Sequence, residues 1–233
     1  MRETLRVTGL AKSFTLHNQG GARLDVLRRL DLVLGEGECL VLAGPSGSGK
    51  STLLRAVYGN YLPDAGHILL RHGGDTVDMA RASPRLVLEV RRRTIGYVSQ
   101  FLRVIPRVPA LDIVAEPLLA QGIAPQAARE RAADMLARLL IPERLWPLAS
   151  ATFSGGEQQR INVARVFAAD YPILLLDEPT AALDDASAGV VAGLVEAARS
   201  RGATIIGVFH DGETRRRLAD RVFDMASQRA IAA

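Results

Sequence analysis

Residues 44 to 51 read Gly44-Pro45-Ser46-Gly47-Ser48-Gly49-Lys50-Ser51. This octapeptide matches G-x-x-x-x-G-K-[ST], a backbone loop that cradles phosphate groups. Its glycines let the chain turn tightly and bring N–H groups close to an anion. Lys50 supplies a compact positive charge for the β- and γ-phosphates, and Ser51 a hydroxyl for Mg²⁺. The flanks suit the task. Cys39-Leu40-Val41-Leu42-Ala43 is a short apolar run for a buried strand, and Thr52-Leu53-Leu54-Arg55-Ala56-Val57 opens a helix. A strand running into a helix N-terminus aims amides and helix dipole at phosphate. Of 29 lysines and arginines, only Lys12 and Lys50 are lysine. A chain that gives nearly every cationic position to arginine still places an ammonium here, where a planar, forked guanidinium is no substitute.

The chain has 233 residues, 48% of them hydrophobic and 23% charged, with a formal net charge of +4. That is the composition of one globular domain with a large buried core. The cations are scattered. Their densest cluster, Arg91-Arg92-Arg93, is short and helically spaced, and is expected to be a solvated face or partner contact with no role in binding nucleic acid. Cys39 is the one cysteine and lies in the apolar strand, so it is expected in the core and outside any internal disulfide. No signal-peptide pattern and no run long enough to span a bilayer is present, which makes a soluble, cytoplasmic protein the expectation.

Several elements are legible from pattern. Thr4 to Leu10 reads as a strand, followed by a turn at Asn18-Gln19-Gly20-Gly21 and an alternating segment from Leu24 to Leu34 that breaks at Gly35-Glu36-Gly37. Further strands are expected at His67 to Arg71, Ile95 to Val98, Ile173 to Leu176 and Thr204 to Val208. Leu111 to Gln121 and Pro125 to Leu140 are spaced as helices, the second with Ala128, Ala132, Met135, Leu136 and Leu139 on one face. Residues 101 to 157 read as a helical insertion between two halves of an α/β core (1 to 100 and 158 to 233). The later alternation of helix and strand, including a helix from Ala186 to Arg199, implies a mostly parallel sheet with helices on its faces.

Two more stretches carry chemistry. Ile173-Leu174-Leu175-Leu176-Asp177-Glu178-Pro179 is an apolar strand ending in two carboxylates, which places the acids at the carboxyl edge of the sheet, where such folds bind ligands. Asp177 is suited to orienting Mg²⁺, and Glu178 to orienting or deprotonating a water that attacks the γ-phosphate. Ser154-Gly155-Gly156-Glu157-Gln158 opens a helix. Ser154 and Glu157 are spaced as a capping box, while the paired glycines suit a second anion approaching a helix N-terminus.

The phosphate loop, S-G-G-E-Q, the strand ending in Asp177-Glu178, and Ala181-Ala182-Leu183-Asp184 occur in the order found in ABC-type ATPases, and the chain resembles that family over nearly its whole length. Gln100 after the Tyr97 strand and His210 after the Thr204 to Val208 strand complete the set. The resemblance implies a P-loop NTPase with a RecA-like core, an N-terminal antiparallel β subdomain and an inserted helical subdomain. It also implies a head-to-tail pair of ATPase domains, as a homodimer or with a related subunit, enclosing each ATP. Carried over, Gly44 to Ser51 and Thr52 bind phosphates, with Ser51, Gln100 and Asp177 serving Mg²⁺. Glu178 serves the water and His210 the γ-phosphate; Ser154, Gly156 and Gln158 act in trans, and Phe14 stacks on adenine. Tyr97 and Trp146 are read as packing residues.

The stretches at 14–21, 60–67, 100–106 and 153–160 resemble the L component of the bacterial carbon–phosphorus lyase system, which breaks down phosphonates. That resemblance implies partnership with lyase core subunits, for which this chain would supply ATP hydrolysis and no bond-cleaving chemistry. The alternative is the ATPase subunit of a membrane transporter exporting lipoproteins or macrolides, with a partner groove expected over residues 100 to 125.

Overall fold

The computed structural model describes residues 2–17, 20–100 and 107–232. An antiparallel sheet is built from β1 (Glu3–Leu16), β2 (Ala22–Gly35), β4 (Ala65–His72) and β5 (Asp75–Asp78), in the order β2-β1-β4-β5. A six-stranded sheet contains β3 (Cys39–Ala43), β6 (Ile95–Val98), β7 (Ile173–Asp177), β8 (Thr204–Val208), β9 (Arg221–Asp224) and β10 (Arg229–Ala232). Its order is β10-β9-β3-β8-β7-β6, parallel throughout except for β10 against β9. This is the α/β architecture with a separate antiparallel sheet that the sequence implies.

The central strands are apolar on both faces because both faces are covered. Cys39, Val41, Leu174 and Leu176 point into one apolar cluster, and Leu40, Leu42, Ile173 and Leu175 into a second. This is the period-two alternation of a strand buried between two layers. The first cluster draws on α3 (Ala110–Ala120), α4 (Pro125–Arg138), α5 (Gly155–Phe167) and α6 (Asp185–Ser200). The second joins the sheet to α1 (Lys50–Val57) and to the antiparallel sheet through Leu5, Leu53 and Ile68. Each fully buried leucine contributes roughly 1.5–3 kcal/mol, so the two clusters dominate the stability of the sheet.

β1 runs past the expected end at Leu10 to Leu16, because pairing of Lys12 to Leu16 with Ala22 to Leu27 continues the ladder through a polar stretch. Tertiary pairing overrides local pattern there. The expected turn falls partly on Asn18 and Gln19, which lie outside the described residues, as do residues 101–106. β5, β9 and β10 are four-residue strands, too short for alternation to reveal. α2 (Pro84–Arg93) hides behind its charge, and is marked by Ser83 at the N-cap and proline in the first turn. Arg91-Arg92-Arg93 close its last turn, where cations oppose the helix dipole. Arg92 and Arg93 pair with Glu89, while Arg91 turns inward and donates from Nε to the Tyr58 carbonyl at 2.9 Å. The amphipathic face expected of α4 is buried as predicted, with Ala128, Ala132 and Leu136 fully enclosed.

Leu175 is inaccessible while Leu62 is 70% exposed. Leu175→Ala should lower the unfolding free energy by about 2–5 kcal/mol, and Leu62→Ala by less than about 0.5 kcal/mol, in chemical denaturation.

Candidate active site

Between β3 and α1 the phosphate loop turns through Gly44 (φ 136°), Gly47 (φ 80°) and Gly49 (φ 96°), backbone that side-chain-bearing residues rarely adopt. A Cβ on Gly49 would come within 2.9 Å of Val26 Cγ1, so glycine is needed there for space as well as for conformation. Gly49 is also the N-cap of α1 and provides no side-chain cap, and the first turn has no acidic residue. The N–H groups of that turn are left for an anion.

Lys50 is only 8% exposed. Its Nζ folds over the loop and donates to the carbonyls of Gly44 at 2.8 Å and Pro45 at 2.9 Å. The Ser48 hydroxyl oxygen is buried with no hydrogen-bond partner among the described residues. A capless helix turn, an inward ammonium and an orphaned hydroxyl make a cradle that fits a polyphosphate.

Ser51 Oγ donates to Asp177 Oδ1 at 2.9 Å, joining the loop to the end of β7. Asp177 is 1% exposed. Burial raises its pKa above the usual aspartate value, against the opposing effect of hydrogen bonds from Ser51 and Tyr97. Tyr97 Oη donates to Asp177 Oδ2 at 3.1 Å, and burial together with the nearby Asp177 charge pushes the phenol pKa upward. One carboxylate and one loop hydroxyl, completed by phosphate oxygens, are the donor set Mg²⁺ takes in such loops. Among the described residues no cluster of three or more histidines, cysteines, aspartates or glutamates offers another metal site.

Glu178 follows with φ 54°, a left-handed conformation that is rare for glutamate and concentrates at functional positions. Its carboxylate is held from two sides. His210 Nε2 lies 2.7 Å from Oε1, and Gln100 Nε2 donates to Oε2 at 3.0 Å. Gln100, Asp177, Glu178 and His210 therefore converge at the carboxyl edge of the sheet, as the motif order implied.

The S-G-G-E-Q segment stands apart. Among the described residues, no hydrogen bond or ion pair joins Ser154, Gly156 or Gln158 to the phosphate loop. Ser154 caps α5 in a complete capping box, its N–H donating to Glu157 Oε2 at 2.9 Å and its Oγ accepting from Glu157 N at 3.3 Å. Gln158 Nε2 donates to the Phe153 carbonyl at 3.0 Å. A Cβ on Gly156 would sit 3.0 Å from the Ala182 carbonyl, so this glycine has an intramolecular reason in addition to the anion reading.

Phe14 is half-buried on β1, edge-on to Tyr61 with centroids 5.3 Å apart and Lys12 Nζ 5.4 Å from its ring centre. Trp146 packs as expected, its indole donating to the Ile141 carbonyl at 2.9 Å. Tyr97 is more than the packing residue it was taken for. Its hydroxyl reaches Asp177 because β6 lies beside β7 with Tyr97 paired to Leu175, a register that only the folded sheet reveals. Gln159 and Asn162 were also missed. Each is 4% exposed, and they donate to the carbonyls of Pro179 at 3.3 Å and Ser99 at 2.7 Å.

The ABC transporter family profile matches residues 27–181. The lipoprotein-releasing system ATP-binding protein LolD of Hyphomonas neptunium is 35% identical over 232 residues, covering 99% of this chain and 98% of that protein. LolD of Maricaulis maris is 42% identical over 204 residues, 87% and 86% of the two chains. The macrolide export ATP-binding/permease protein MacB 1/2 of Paracoccus denitrificans is 34% identical over 228 residues, 98% of this chain and 33% of that protein. Among solved structures, the dimeric post-hydrolysis state of the ATP-binding cassette MJ0796 bound to ADP and Pi has a TM-score of 0.85 at 28% identity, covering 94% and 93% of the chains.

These relatives overturn the expectation of a carbon–phosphorus lyase component and of lyase core subunits as partners. Full-length similarity runs to ATP-binding proteins of lipoprotein release and macrolide export. The stretches behind the earlier resemblance are short, and three of them, 14–21, 100–106 and 153–160, contain residues of the nucleotide motifs, so they report nucleotide chemistry more than they report the partner. The chain belongs to the ABC transporter family, and is an ATPase that uses ATP with Mg²⁺.

Proposed function

We propose that this chain is the ATPase subunit of a membrane transporter of the lipoprotein-releasing or macrolide-exporting kind, and that two cassettes close head to tail over two ATP molecules. Similarity along almost the whole chain to LolD proteins carries this reading. The dimeric cassette structures support the pairing. Among the described residues no helix is long and apolar enough to cross a membrane.

In this reading the amides of Gly44 to Thr52 and the Lys50 ammonium hold the phosphates, and Ser51, Gln100 and Asp177 hold Mg²⁺. Mg²⁺ held there would supply positive charge against the phosphate oxygens. Glu178 orients the attacking water and takes its proton. His210 and Gln100, which here occupy both oxygens of Glu178, are the residues that would reach the γ-phosphate and the metal. Phe14 offers a ring face to adenine. Ser154, Gly156 and Gln158 complete the site of the partner cassette, which explains why they stand apart from their own phosphate loop. The helices α3, α4 and α5 form the unit that presents them.

A groove of about 320 Å³ supports the permease reading; Glu116, Pro117 and Ala120 of its wall fall within the expected span of 100 to 125, and the rest of the wall comes from elsewhere in the chain. Leu88, Arg91, Arg92, Tyr97, Glu116 and Arg165 contribute to its walls. Apolar side chains rimmed by arginines, of which Arg92 and Arg165 already pair with Glu89 and Glu116, suit an amphipathic segment. Leu88 is 63% exposed, a large apolar side chain with no partner of its own in the core.

Two outcomes check this. Glu178→Gln should abolish ATP hydrolysis and yield ATP-dependent dimers in size-exclusion chromatography; a monomer in ATP contradicts the paired site. The wild-type chain should copurify with a coexpressed permease in detergent, and Leu88→Asp should lose the permease while retaining ATP affinity within about twofold, since the side chain is exposed.

A further inference from the structure

The groove and the phosphate loop are separated by one side chain. Tyr97 lines the groove, and its hydroxyl leaves it to donate to Asp177 Oδ2 at 3.1 Å. On the groove side its ring packs on Tyr58, with centroids 5.0 Å apart and planes inclined by 42°. Tyr58 in turn lies beneath Arg91, whose guanidinium carbon is 4.5 Å from the ring centre. All three line the groove. Tyr58 also terminates α1, the helix that begins with Lys50 and Ser51. Arg55, midway along that helix, hydrogen-bonds the hydroxyl of Tyr61 at 3.1 Å and also acts on that of Tyr97. A continuous line of contacts therefore runs from the groove surface, through Arg91, Tyr58 and Tyr97, to Asp177 and Ser51.

The two hydroxyls on Asp177 do different work. Ser51 offers the loop hydroxyl that would ligate Mg²⁺ through an oxygen lone pair, while its O–H donates to Oδ1. Tyr97 is the other described side-chain donor on this carboxylate, and it has no metal to bind. Partners of this kind fix the orientation of a ligating group, and their loss costs about ten- to a hundredfold in metal affinity or activity. A hydrogen bond weakens steeply when its donor is displaced or misaligned, and packed rings transmit displacement instead of absorbing it. An occupant pressing on Tyr58 and Arg91 thus acts on the same bond.

We propose that Tyr97 is a positioning residue that orients Asp177 for Mg²⁺, and that it makes the metal site respond to what fills the groove. Its meaning for transport rests on the permease reading above; its test does not. ADP binding to the purified full-length chain is measured by calorimetry in Mg²⁺ and in EDTA, and the ratio of the two affinities reports the metal's contribution. Tyr97→Phe keeps the ring and removes the hydroxyl oxygen. The ratio should fall about tenfold, with the affinity in EDTA changed less than twofold. Tyr58→Leu, or Arg91→Ala should that variant fail to fold, should lower the ratio in the wild-type background and leave it unaltered in the Tyr97→Phe background, the signature of coupling through one residue. An unchanged ratio for Tyr97→Phe overturns the positioning role, as does an equal loss in EDTA and Mg²⁺. A groove-side effect that persists in the double variant overturns the relay. Permease capture is read separately by copurification, so its failure leaves these affinities as an independent result.

Discussion

Parallel pairing of β3, β8 and β7 is the constraint on which the site depends. Cys39 to Val41 lie beside Ile205 to Gly207, and Ile173 to Asp177 beside Thr204 to Val208. Because the strands run in one direction, their carboxyl ends emerge on one edge, where α/β sheets collect ligands. The phosphate loop leaves β3, His210 follows β8, Asp177 ends β7, and Gln100 follows β6. Ser51 and Asp177, 126 positions apart in sequence, meet at 2.9 Å only because of this order. The register in turn depends on apolar residues alternating between two covered faces. A one-residue slip would exchange the contents of the two clusters.

α5 ties the remaining pieces to that edge. Its first turn presents Ser154 to Gln158. One turn further on, Gln159 and Asn162 are buried in the same helix and bonded to backbone in the loops that bear Glu178 and Gln100. Pro179 follows Glu178 directly, and Ser99 precedes Gln100. Buried amides with satisfied hydrogen bonds hold one geometry where apolar side chains would tolerate several. The helix that carries the S-G-G-E-Q turn is thereby locked to the loops that bear Gln100 and Glu178, and Gly156 adds a close approach to Ala182.

The nucleotide chemistry was legible because it resides in contiguous residues. Gly44 to Ser51 and the strand ending in Asp177-Glu178 declare both local structure and chemistry, and long helices such as α4 show their period. What stayed hidden depends on pairing across the chain. The extension of β1 to Phe14 and Leu16 needs β2 beside it, and β9 and β10 are too short to carry a pattern. Tyr97 reads as a strand aromatic until β6 is laid against β7. The partner was misread for a related reason. The groove proposed to receive it is assembled from α2, α3, α5 and the end of α1, and no short stretch of sequence contains such a groove.

The central claim is that one chain's Ser154 turn faces another's phosphate loop, and cysteine cross-linking tests it most directly. Ser46 and Ser154 are both exposed. The native Cys39 is fully buried, with its thiol pKa pushed up to about 12 by burial, so it stays silent toward maleimides. A chain carrying Ser46→Cys, Ser154→Cys and Glu178→Gln, treated with a short bis-maleimide, should form covalent dimers with ATP and remain monomeric without it. Monomers in saturating ATP, or cross-linking that is indifferent to nucleotide, would contradict the paired site.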